Sequence, residues 1–318
     1  MAKASDIEKP RTSNNVCAII VTYRSGTELL ECLEPIEDQV AQVVIVDNSS
    51  DTETNALLKD LQQQRPGLIV FYNPKNVGLA AALNTGIRYA LEQSFPHILC
   101  LDHDSRAEPD MVARLLDAYS ALAEQGIKKV GIVAANPFDT NIGKWLLPGL
   151  QQQAQNIVEA EKPIMSGSMI NAEVFAEVGL FDESLFLYFV DNDFCLRCAE
   201  KGWKIFICRD AVLHHREGHK QIRRVLWKRV IYRNYGFSAR YYIARSSVYM
   251  FRKCLRHRRY RYCCRLVGRM FSDFLRVLLM GKPKAKLLAF TFKGLFDAVK
   301  GRSGPLETPD TIQGLERK

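Results

Sequence analysis

The chain contains 318 residues, of which 47 % are hydrophobic and 25 % are charged, as is usual for a globular protein. No run reaches the roughly 18 consecutive apolar residues that a membrane-spanning helix needs. The first residues carry mixed charges and no apolar run, so we expect no secretory signal. We therefore expect a cytoplasmic protein, and the nine scattered cysteines fit a compartment that keeps thiols reduced.

The net charge of +9 is unevenly distributed along the chain. Between Lys220 and Arg261 there are 14 lysines or arginines and no acidic residue. The remainder has 30 basic and 35 acidic residues, so it is mildly acidic. This segment therefore predicts a localised contact with an anionic surface.

Short apolar runs alternate with stretches of helical spacing through the first half of the chain. The runs predict β-strands, and the helices between them predict βαβ units with a mostly parallel sheet covered on both faces. The predicted strands are Val16–Val21, Val43–Val46, Leu68–Phe71, Ile98–Leu101 and Val130–Ala134, with a later strand-like run at Lys204–Ile207.

Turn-forming residues and a glutamine-rich run predict a long loop at residues 136–162, and a loop of this length is usually functional or mobile. A helical stretch is expected at Asp193–Lys201. From Lys220 the pattern becomes helical, basic and aromatic, and from Gly301 it is typical of a loose tail.

Cys195 and Cys198 form a CxxC motif, which is compatible with a zinc site or a redox pair. No second pair follows at the spacing of a zinc finger, and the motif lies within a helix-like run. We therefore expect these cysteines to be buried packing residues.

Polar residues follow each of the first four predicted strands. Ligands of open α/β sheets bind beyond the carboxyl ends of the strands, so these residues should converge on one edge. They are Thr22-Tyr23, Asp47 to Ser50, Asn73 to Asn76, and Asp102 to Ser105. The glycine-rich motifs of dinucleotide-binding oxidoreductases and P-loop NTPases are missing, which argues against both classes.

Asp102 and Asp104 are separated by one residue after a predicted strand. Two such carboxylates can face one hard cation, and Mg²⁺ is commonly held by one or two carboxylates together with phosphate oxygens. A cation there would neutralise a diphosphate leaving group. The alternative is that the aspartates only cap the following helix.

Asp191 and Asp193 form a second acidic cluster, among aromatic residues. A carboxylate with apolar neighbours can act as a general base towards a hydroxyl, although capping of the next helix is again the alternative. His214 and His215 follow the last strand-like run, and either could be a third metal ligand or simply a packing residue.

Together these segments resemble family 2 glycosyltransferases, which have the GT-A fold. The resemblance covers about residues 15–217 and follows the order and spacing of the family motifs. The matching segments are Val21 to Tyr23, Val46 to Ser50, Asn76 to Gly86, Leu101 to Ser105 with the D-x-D motif, Gly179 to Glu183, Cys195 to Arg197, and Gly202-Trp203.

The resemblance implies a role for each candidate residue. Thr22, Tyr23 and Asp47 would contact the nucleotide, while Asn76, Gly78 and Asn84 would line its site. Asp102 would face the ribose or a metal-bound water, and Asp104 would bind Mg²⁺ or Mn²⁺. Asp191 would deprotonate the acceptor hydroxyl, with Asp193 as the alternative base. His214 is the preferred additional metal ligand, with His215 close behind.

The chain departs from the family at two positions. Val190 occupies the position before Asp191 where the family usually has Glu, which leaves the choice between Asp191 and Asp193 less secure. Ala82 replaces a frequent Gly. The runs Leu101 to Ser105 and Arg240 to Arg245 look most like bacterial rhamnosyltransferases that use dTDP-L-rhamnose.

The resemblance therefore implies inverting transfer of L-rhamnose from a dTDP-sugar donor to a lipid-linked glycan of a bacterial surface polysaccharide, such as a lipopolysaccharide O-antigen. The alternatives are a family 2 enzyme that uses a UDP- or GDP-sugar, and a non-catalytic protein that binds nucleotide-sugars or anionic lipids. The basic, aromatic segment favours the anionic inner face of the plasma membrane as a partner, ahead of packing on the catalytic domain or binding to nucleic acid.

The expected organisation is a GT-A α/β fold, a mixed sheet flanked by helices, with a C-terminal helical extension. Residues 1–14 form a flexible N-terminus, 15–217 the catalytic domain, 218–300 the membrane-associating extension and 301–318 a tail.

Overall fold

The computed structural model describes residues 15–49, 51–216, 220–225, 228–233 and 235–306. The predictions for residues 1–14 and 307–318 lie outside this range. The described chain divides into two compact units. The first unit contains the residues up to Asn76, Ala82–Phe181 and Phe194–Arg216, and the second contains Val77–Ala81, Asp182–Asp193 and the residues from Glu217 onwards. The second unit thus includes two short segments from the expected catalytic domain.

Within the described residues, ten strands of the first unit form one mixed sheet. Eight of them follow the order β3-β2-β1-β4-β9-β6-β10-β5, with β7 paired to β6 and β8 paired to β10. The strands are β1 Val16–Thr22, β2 Gln42–Asp47, β3 Ile69–Tyr72, β4 His97–Asp102, β5 Arg106–Ala107, β6 Val130–Asp139, β7 Lys144–Trp145, β8 Ile157–Glu159, β9 Ser168–Asn171 and β10 Lys204–His215.

Five helices belong wholly or mainly to the first unit, and a sixth spans both units, counting described residues only. They are α1 Glu28–Glu37, α2 Thr52–Gln64, α3 Leu79–Glu92, α4 Met111–Glu124, α5 Glu173–Val178 and α6 Val190–Glu200. Their apolar residues recur with helical period, as the sequence predicts, and α1 buries Leu29, Cys32, Leu33 and Ile36. Cys195 and Cys198 are buried in α6, as expected of packing residues.

The predicted strands are confirmed, but the sheet is less parallel than the alternation of strands and helices suggested. β1 pairs in parallel with β2 and β4, and every residue of β1 is buried, which explains its continuous apolar sequence. β9 is inserted between β4 and β6 and is antiparallel to both. Its four residues are too few to give a clear alternating pattern in the sequence.

The predicted loop at residues 136–162 was only partly correct. β6 continues to Asp139 and pairs with β7, while β8 adds to β10. A 3₁₀ turn at Pro148–Gln152 lies between them. These elements are short and contain turn residues, so their hydrogen bonds to neighbouring strands define them more than their own sequence does.

The second unit contains a two-stranded antiparallel ribbon followed by three helices, within its described residues. The elements are β11 Lys220–Val225, β12 Lys228–Arg233, α7 Phe237–Arg256, α8 Tyr260–Met280 and α9 Lys284–Val299. The expectation of helix from Lys220 was wrong for the ribbon, because β-branched residues such as Ile222, Val230 and Ile231 favour strands. No helix in the described chain has the length and apolar character needed to cross a membrane.

The helices α7 and α9 pack closely against each other. A Cβ atom added at Gly294 would lie 2.3 Å from the carbonyl oxygen of Tyr241, so only glycine permits this approach. Tyr241 and Tyr242 join Phe186 in a buried aromatic cluster, against which Phe290 of α9 also packs. The second unit therefore has a core of its own.

Gly86→Ala is expected to lower the free energy of unfolding by about 1–3 kcal/mol, as overpacking of a filled core does. Gly86 lies in α3 against β1, and an added Cβ would be 2.6 Å from Cγ2 of Ile19. Alanine gains up to about 1 kcal/mol of helix propensity, which offsets only part of this cost. Urea denaturation measures the difference.

Gly149→Ala is the matched control, because no atom lies within 4 Å of its added Cβ. It should change the stability by less than about 0.5 kcal/mol. Equal effects of the two substitutions would contradict close packing of α3 on β1.

Candidate active site

The carboxyl ends of β1 and β2 hold a buried aspartate. Asp47 is 1 % exposed and accepts hydrogen bonds at Oδ1 from Thr22 Oγ1 (2.9 Å) and Ser49 Oγ (2.6 Å). Parallel register places Thr22 beside Asp47, so the strand pairing itself brings the two together. These bonds fix the orientation of the Asp47 carboxylate.

An asparagine chain extends the same edge of the sheet. Asn48 donates from its backbone N to the carbonyl of Thr22 and from Nδ2 to Oδ1 of Asn76 at 3.1 Å. Asn73 donates to Oδ1 of Asn48 at 3.3 Å. The structure therefore groups Thr22, Asp47 and Asn76, as predicted from their positions after successive strands.

Tyr23 follows β1 and is 42 % exposed, with the guanidinium of Arg24 5.3 Å from the centre of its ring. An exposed ring at the edge of the sheet is suited to stacking on a planar base. A second tyrosine, Tyr72, lies near Asp47. The pKa of its hydroxyl is raised by burial and, to a smaller extent, by the negative charge of Asp47.

Asn84 has a different environment from the one expected of a residue that lines the nucleotide site. Its amide is buried, donates from Nδ2 to the carbonyl of Phe181 and accepts at Oδ1 from the Phe181 backbone N, both at 3.0 Å. Asn84 therefore anchors the backbone at Phe181. The physical reason is that one amide side chain satisfies the backbone N–H and the backbone carbonyl of one buried residue.

Gly78 belongs to the second unit and adopts φ +93°. A Cβ at this position would lie 2.7 Å from Cδ2 of Phe186, and the next residue, Leu79, donates its backbone N to the Phe186 carbonyl at 2.7 Å. Gly78 thus combines a left-handed conformation with a close approach, which other residues tolerate poorly.

Three potential metal ligands cluster at the ends of β4 and β10. Asp102, Asp104 and His215 each offer one ligand atom, and these atoms lie within 4.8 Å of one another. All three side chains are partly buried. Two carboxylate oxygens with one imidazole nitrogen form a donor set that Mn²⁺ accepts and that Mg²⁺ can use through the oxygens. The residues present therefore fit a divalent cation.

The histidine of this cluster is His215, which corrects the preference for His214. His214 instead contacts Glu108, with 2.5 Å between Nε2 and Oε1, and packs edge-on against Phe138. Consecutive side chains of a strand point to opposite faces, so only one of the two adjacent histidines can face the aspartates.

Two residues close to Asp102 and Asp104, His103 and Cys32, also have defined contacts. His103 lies between them in sequence, and its Nε2 is 3.9 Å from Oε1 of Glu28. Cys32 donates its thiol to the carbonyl of Asp102 at 3.4 Å. Burial, and after it the charges of Asp102 and Asp104, raises the pKa of Cys32, so this residue remains a neutral thiol.

Asp191 and Asp193 lie in the second unit and have different environments. Asp193 is 1 % exposed, and its Oδ1 is 2.6 Å from Nζ of Lys253, which also pairs with Asp182. Asp191 is half-buried and accepts at Oδ1 from the backbone N of Asn192 (2.8 Å) and from its Nδ2 (2.9 Å). Burial raises the pKa of Asp191 despite these bonds.

This contrast favours Asp191 over Asp193 as a base. The oxygen of Asp193 that meets Lys253 is committed to an ion pair, and protonating it would disrupt that pair. No lysine or arginine among the described residues forms an ion pair with Asp191, and the charge of Arg269 lowers its pKa less than burial raises it. The Oδ2 of Asp191 is the oxygen that would receive a proton. A carboxylate with a raised pKa is also the stronger base.

The turn before Asp191 is conformationally strained. Phe186, Tyr188 and Phe189 have φ of 47°, 64° and 63°, values that cost energy for bulky side chains. Ser246 of α7 donates to the carbonyls of Leu185 and Leu187 at 3.0 and 2.8 Å. Tyr242 stacks on Phe186 with ring centres 4.7 Å apart. α7 therefore holds the segment that ends at Asp191.

Several residues around these clusters were missed from the sequence. Ser105 and Ser166 contact the ligand cluster, whereas Ser246 and Lys253 support the acidic segment. Ser105 directly follows the D-x-D motif and could have been noticed there. The other three are distant in sequence from the motifs, and no local pattern identifies them.

A mixed α/β sheet with a D-x-D motif at the end of a central strand defines the fold class of the GT-A glycosyltransferases. Residues 17–170 match the family model described as glycosyl transferase family 2. The chain is 32 % identical over 224 residues to "dTDP-rhamnosyl transferase RfbF" of Shigella flexneri, covering 66 % of this chain and 72 % of the relative. The chain therefore belongs to glycosyltransferase family 2 and is a glycosyltransferase.

Solved structures agree with this fold. S. aureus TarS residues 1–349 superimpose with a TM-score of 0.57 at 14 % identity, covering 90 % of this chain and 81 % of that one. The mannosyltransferase PcManGT of Pyrobaculum calidifontis, solved with GDP-Man and Mn²⁺, gives a TM-score of 0.54 at 18 % identity, covering 99 % and 82 %. Both similarities concern the fold.

Asp191→Asn is expected to raise the free energy of unfolding at pH 7. Burial raises the folded-state pKa of Asp191 above its unfolded value of about 3.9. The folded protein therefore loses stability as the pH rises through these values and the carboxyl ionises. Asparagine does not ionise and has no such loss. The free energy of unfolding of the variant, measured by urea denaturation, should therefore exceed that of the unmodified protein only slightly near pH 4 and by more towards pH 7.

Asp193→Asn is the matched comparison, because it removes the ion pair of a buried carboxylate with Lys253. It should lower the free energy of unfolding by about 1–3 kcal/mol, as for a lost hydrogen bond to a charged group. A stabilised Asp193→Asn together with a destabilised Asp191→Asn would reverse the assignment of the two carboxylates.

Proposed function

We propose that the chain is an inverting glycosyltransferase that moves L-rhamnose from dTDP-L-rhamnose to a lipid-linked acceptor of a bacterial surface polysaccharide. The clustering of Asp102, Asp104 and His215 at the sheet edge is the observation that carries the chemistry. The similarity to the dTDP-rhamnosyl transferase RfbF supports the donor.

In this proposal the nucleotide lies along the ends of β1 and β2. Tyr23 would stack on the base, and the carboxylate of Asp47, oriented by Thr22 and Ser49, would accept hydrogen bonds from the nucleotide. Asn76 would continue this polar edge through Asn48. Gly78 would contribute by permitting the close turn at Phe186.

Asp104, Asp102 and His215 would hold Mg²⁺ or Mn²⁺. When bound, the cation would supply positive charge to the diphosphate leaving group as the bond to the sugar breaks. Asp102 has a further possible contact, since its position at the end of β4 also suits the ribose or a metal-bound water. This ligand set differs from the one expected from the sequence only in that it contains His215 in place of His214.

Asp191 would act as the general base. Its Oδ2 would take the proton of the acceptor hydroxyl while the hydroxyl oxygen attacks the anomeric carbon and the bond to dTDP breaks. Attack opposite the leaving group inverts the anomeric configuration. Asp193 would position this segment through Lys253 and take no proton.

Two other functions remain as alternatives. A UDP- or GDP-sugar donor would use the same fold, as the PcManGT structure with GDP-Man illustrates for that protein. A non-catalytic protein would bind a nucleotide-sugar or anionic lipid without turnover. The donor panel below separates these possibilities.

Hydrolysis or transfer should be measured for dTDP-L-rhamnose, UDP-glucose, UDP-N-acetylglucosamine and GDP-mannose, with Mg²⁺, Mn²⁺ or EDTA. We expect turnover of dTDP-L-rhamnose that EDTA abolishes. Asp104→Asn should lower kcat/KM at least about 100-fold, since it removes a charge that stabilises the leaving group. Asp191→Asn should lower transfer at least as much while leaving dTDP binding near normal.

The control is Glu159→Gln, which removes an exposed carboxylate on β8 and should leave turnover unchanged. Preference for a UDP- or GDP-sugar would overturn the donor assignment alone. Absence of turnover with every donor, despite measurable dTDP binding, would favour the non-catalytic alternative. Full activity of Asp191→Asn with an inactive Asp193→Asn would exchange their roles.

We further propose that the second unit binds the anionic inner face of the plasma membrane. Ten of the thirteen exposed large apolar side chains of the described residues lie on α7, α8 and α9. On α8 five of them are spaced by seven, four, four and three residues and so form one stripe, in which Phe271 is 62 % exposed. The stripe is formed by Tyr260, Val267, Phe271, Leu275 and Leu278.

Basic residues accompany this stripe. Arg261, Arg265, Arg269 and Arg276 are exposed on α8, where Arg269 also lies over the ring of Phe189 and Arg276 pairs with Asp273. A second apolar face of the helix is buried and consists of Cys263, Leu266, Val277 and Met280. A helix that is held by one apolar face and exposes a second beside arginines is suited to lie in an anionic membrane surface.

Phe271→Ser/Leu278→Ser should lose flotation with vesicles that contain phosphatidylglycerol, since both side chains would leave the acyl boundary. The unmodified protein should float with these vesicles and much less with phosphatidylcholine alone. Arg261→Gln/Arg265→Gln should weaken binding about 5-fold or more per charge, from roughly 1 kcal/mol per arginine. Tyr72→Ser/Leu147→Ser, exposed positions of the first unit, form the matched control.

Failure of the unmodified protein to float with either vesicle would favour simple packing of the basic segment. Retention of an oligonucleotide in place of vesicles would favour nucleic acid. Equal loss in the control pair would show that exposed apolar area in general, and not the α8 stripe, carries the binding.

A further inference from the structure

We propose that Ser105 and Ser166 form a serine relay that fixes the ring orientation and tautomer of His215 and links it to the backbone of Asp102. The serine relay comprises these two hydroxyl groups. The inference deepens, and rests on, the cation site proposed above. Neither serine belongs to the ligand set, so they act as positioning residues.

Strand register places the first serine beside the histidine. β5 and β10 are antiparallel, with Arg106 opposite His214, so the preceding Ser105 comes opposite His215. The Ser105 Oγ lies 2.9 Å from Nδ1 of the His215 ring. One ring nitrogen is therefore occupied by the protein, which leaves Nε2 for a cation.

The second serine connects the ring to an aspartate ligand. Ser166 Oγ lies 2.8 Å from Ser105 Oγ and accepts the backbone N–H of Asp102 at 3.0 Å. Ser105 and Ser166 are 1 % and 3 % exposed, so bulk water cannot easily replace either hydroxyl. The relay therefore spans from the histidine to the strand end that carries the D-x-D motif.

Cation binding selects one direction for these hydrogen bonds. A histidine that binds a cation through Nε2 must carry its proton on Nδ1, and Nδ1–H can then only donate. Ser105 consequently accepts from the ring, and its own hydrogen is available for Ser166. Ser166 has two lone pairs, which suffice for Ser105 and for the Asp102 N–H.

This geometry predicts an effect on metal affinity that is separable from catalysis. In a metal-binding histidine, the second ring nitrogen usually has a hydrogen-bond partner. Removing that partner typically weakens metal binding by about 10–100-fold. Without Ser105, the Nδ1–H would be left without its acceptor, and the tautomer with the proton on Nε2 would compete. That tautomer cannot bind a cation at Nε2.

The first experiment measures the Mn²⁺ affinity of the full chain in the presence of dTDP. Electron paramagnetic resonance reports the concentration of free Mn²⁺. Ser105→Ala should weaken Mn²⁺ binding about 10–100-fold, and Ser166→Ala should weaken it less because it acts one bond further away. Ser168→Ala is the matched control. Ser168 is also buried, but its hydroxyl donates to the carbonyl of Ile164 outside the relay.

The second measurement reports the tautomer without any metal. Long-range ¹H–¹⁵N spectra of protein labelled with ¹⁵N-histidine distinguish protonated from unprotonated ring nitrogens. His215, assigned by loss of its signals in His215→Gln, should carry its proton on Nδ1. Ser105→Ala should shift the population towards protonated Nε2, whereas Ser168→Ala should not. A merely structural role would leave this spectrum unchanged.

Two failures are distinguishable. If Asp104→Asn binds Mn²⁺ as tightly as the unmodified protein, the cation site itself is wrong. If Asp104→Asn binds weakly while Ser105→Ala matches Ser168→Ala in affinity and tautomer, the site stands and the serine relay is overturned.

Discussion

The parallel pairing of β1 with both β2 and β4 is the constraint on which the candidate site depends. Its register places Thr22 beside Asp47 and Val21 beside Asp102, so Thr22, Asp47 and the D-x-D motif reach the same sheet edge. The apolar strands are buried, and their burial holds this register because a one-residue slip would displace every side chain. At this edge Thr22 and Asp47 are buried, whereas Tyr23 is exposed and the two aspartates of the D-x-D motif are partly exposed.

The choice between the two histidines follows from an irregularity in β10. Phe206 and Cys208 face the main core, but beyond the register shift between Cys208 and Val212 it is Ala211 and Leu213 that do so. The side-chain alternation thus changes phase within the strand. A strand without this irregularity would present His214 where His215 now lies, which is why alternation alone could not show which histidine lies beside Asp102 and Asp104.

The sequence was most informative where function depends on residues next to a strand end. Buried apolar runs identify the central strands, and the aspartates after β2 and β4 are therefore predictable. The surroundings of Asn84 could not be predicted, because its position in a family motif does not reveal that its amide bonds the distant Phe181 backbone. The ribbon at β11 and β12 was missed because charged residues masked its β-branched pattern. In each case the deciding contact is distant in sequence or depends on pairing.

The basic character of the C-terminal segment has two physical origins, which composition alone cannot separate. On α7, Lys253 pairs with Asp182 and Asp193, and the buried Arg245 lies against the rings of Tyr241 and Tyr242. These cations stabilise the second unit from within. The arginines of α8, by contrast, are exposed beside an apolar stripe that remains uncovered in the described chain. Composition therefore combines two kinds of cation: those of α7 pack within the unit and hold the segment that carries Asp191, whereas the exposed arginines of α8 are the ones on which the proposed surface binding depends.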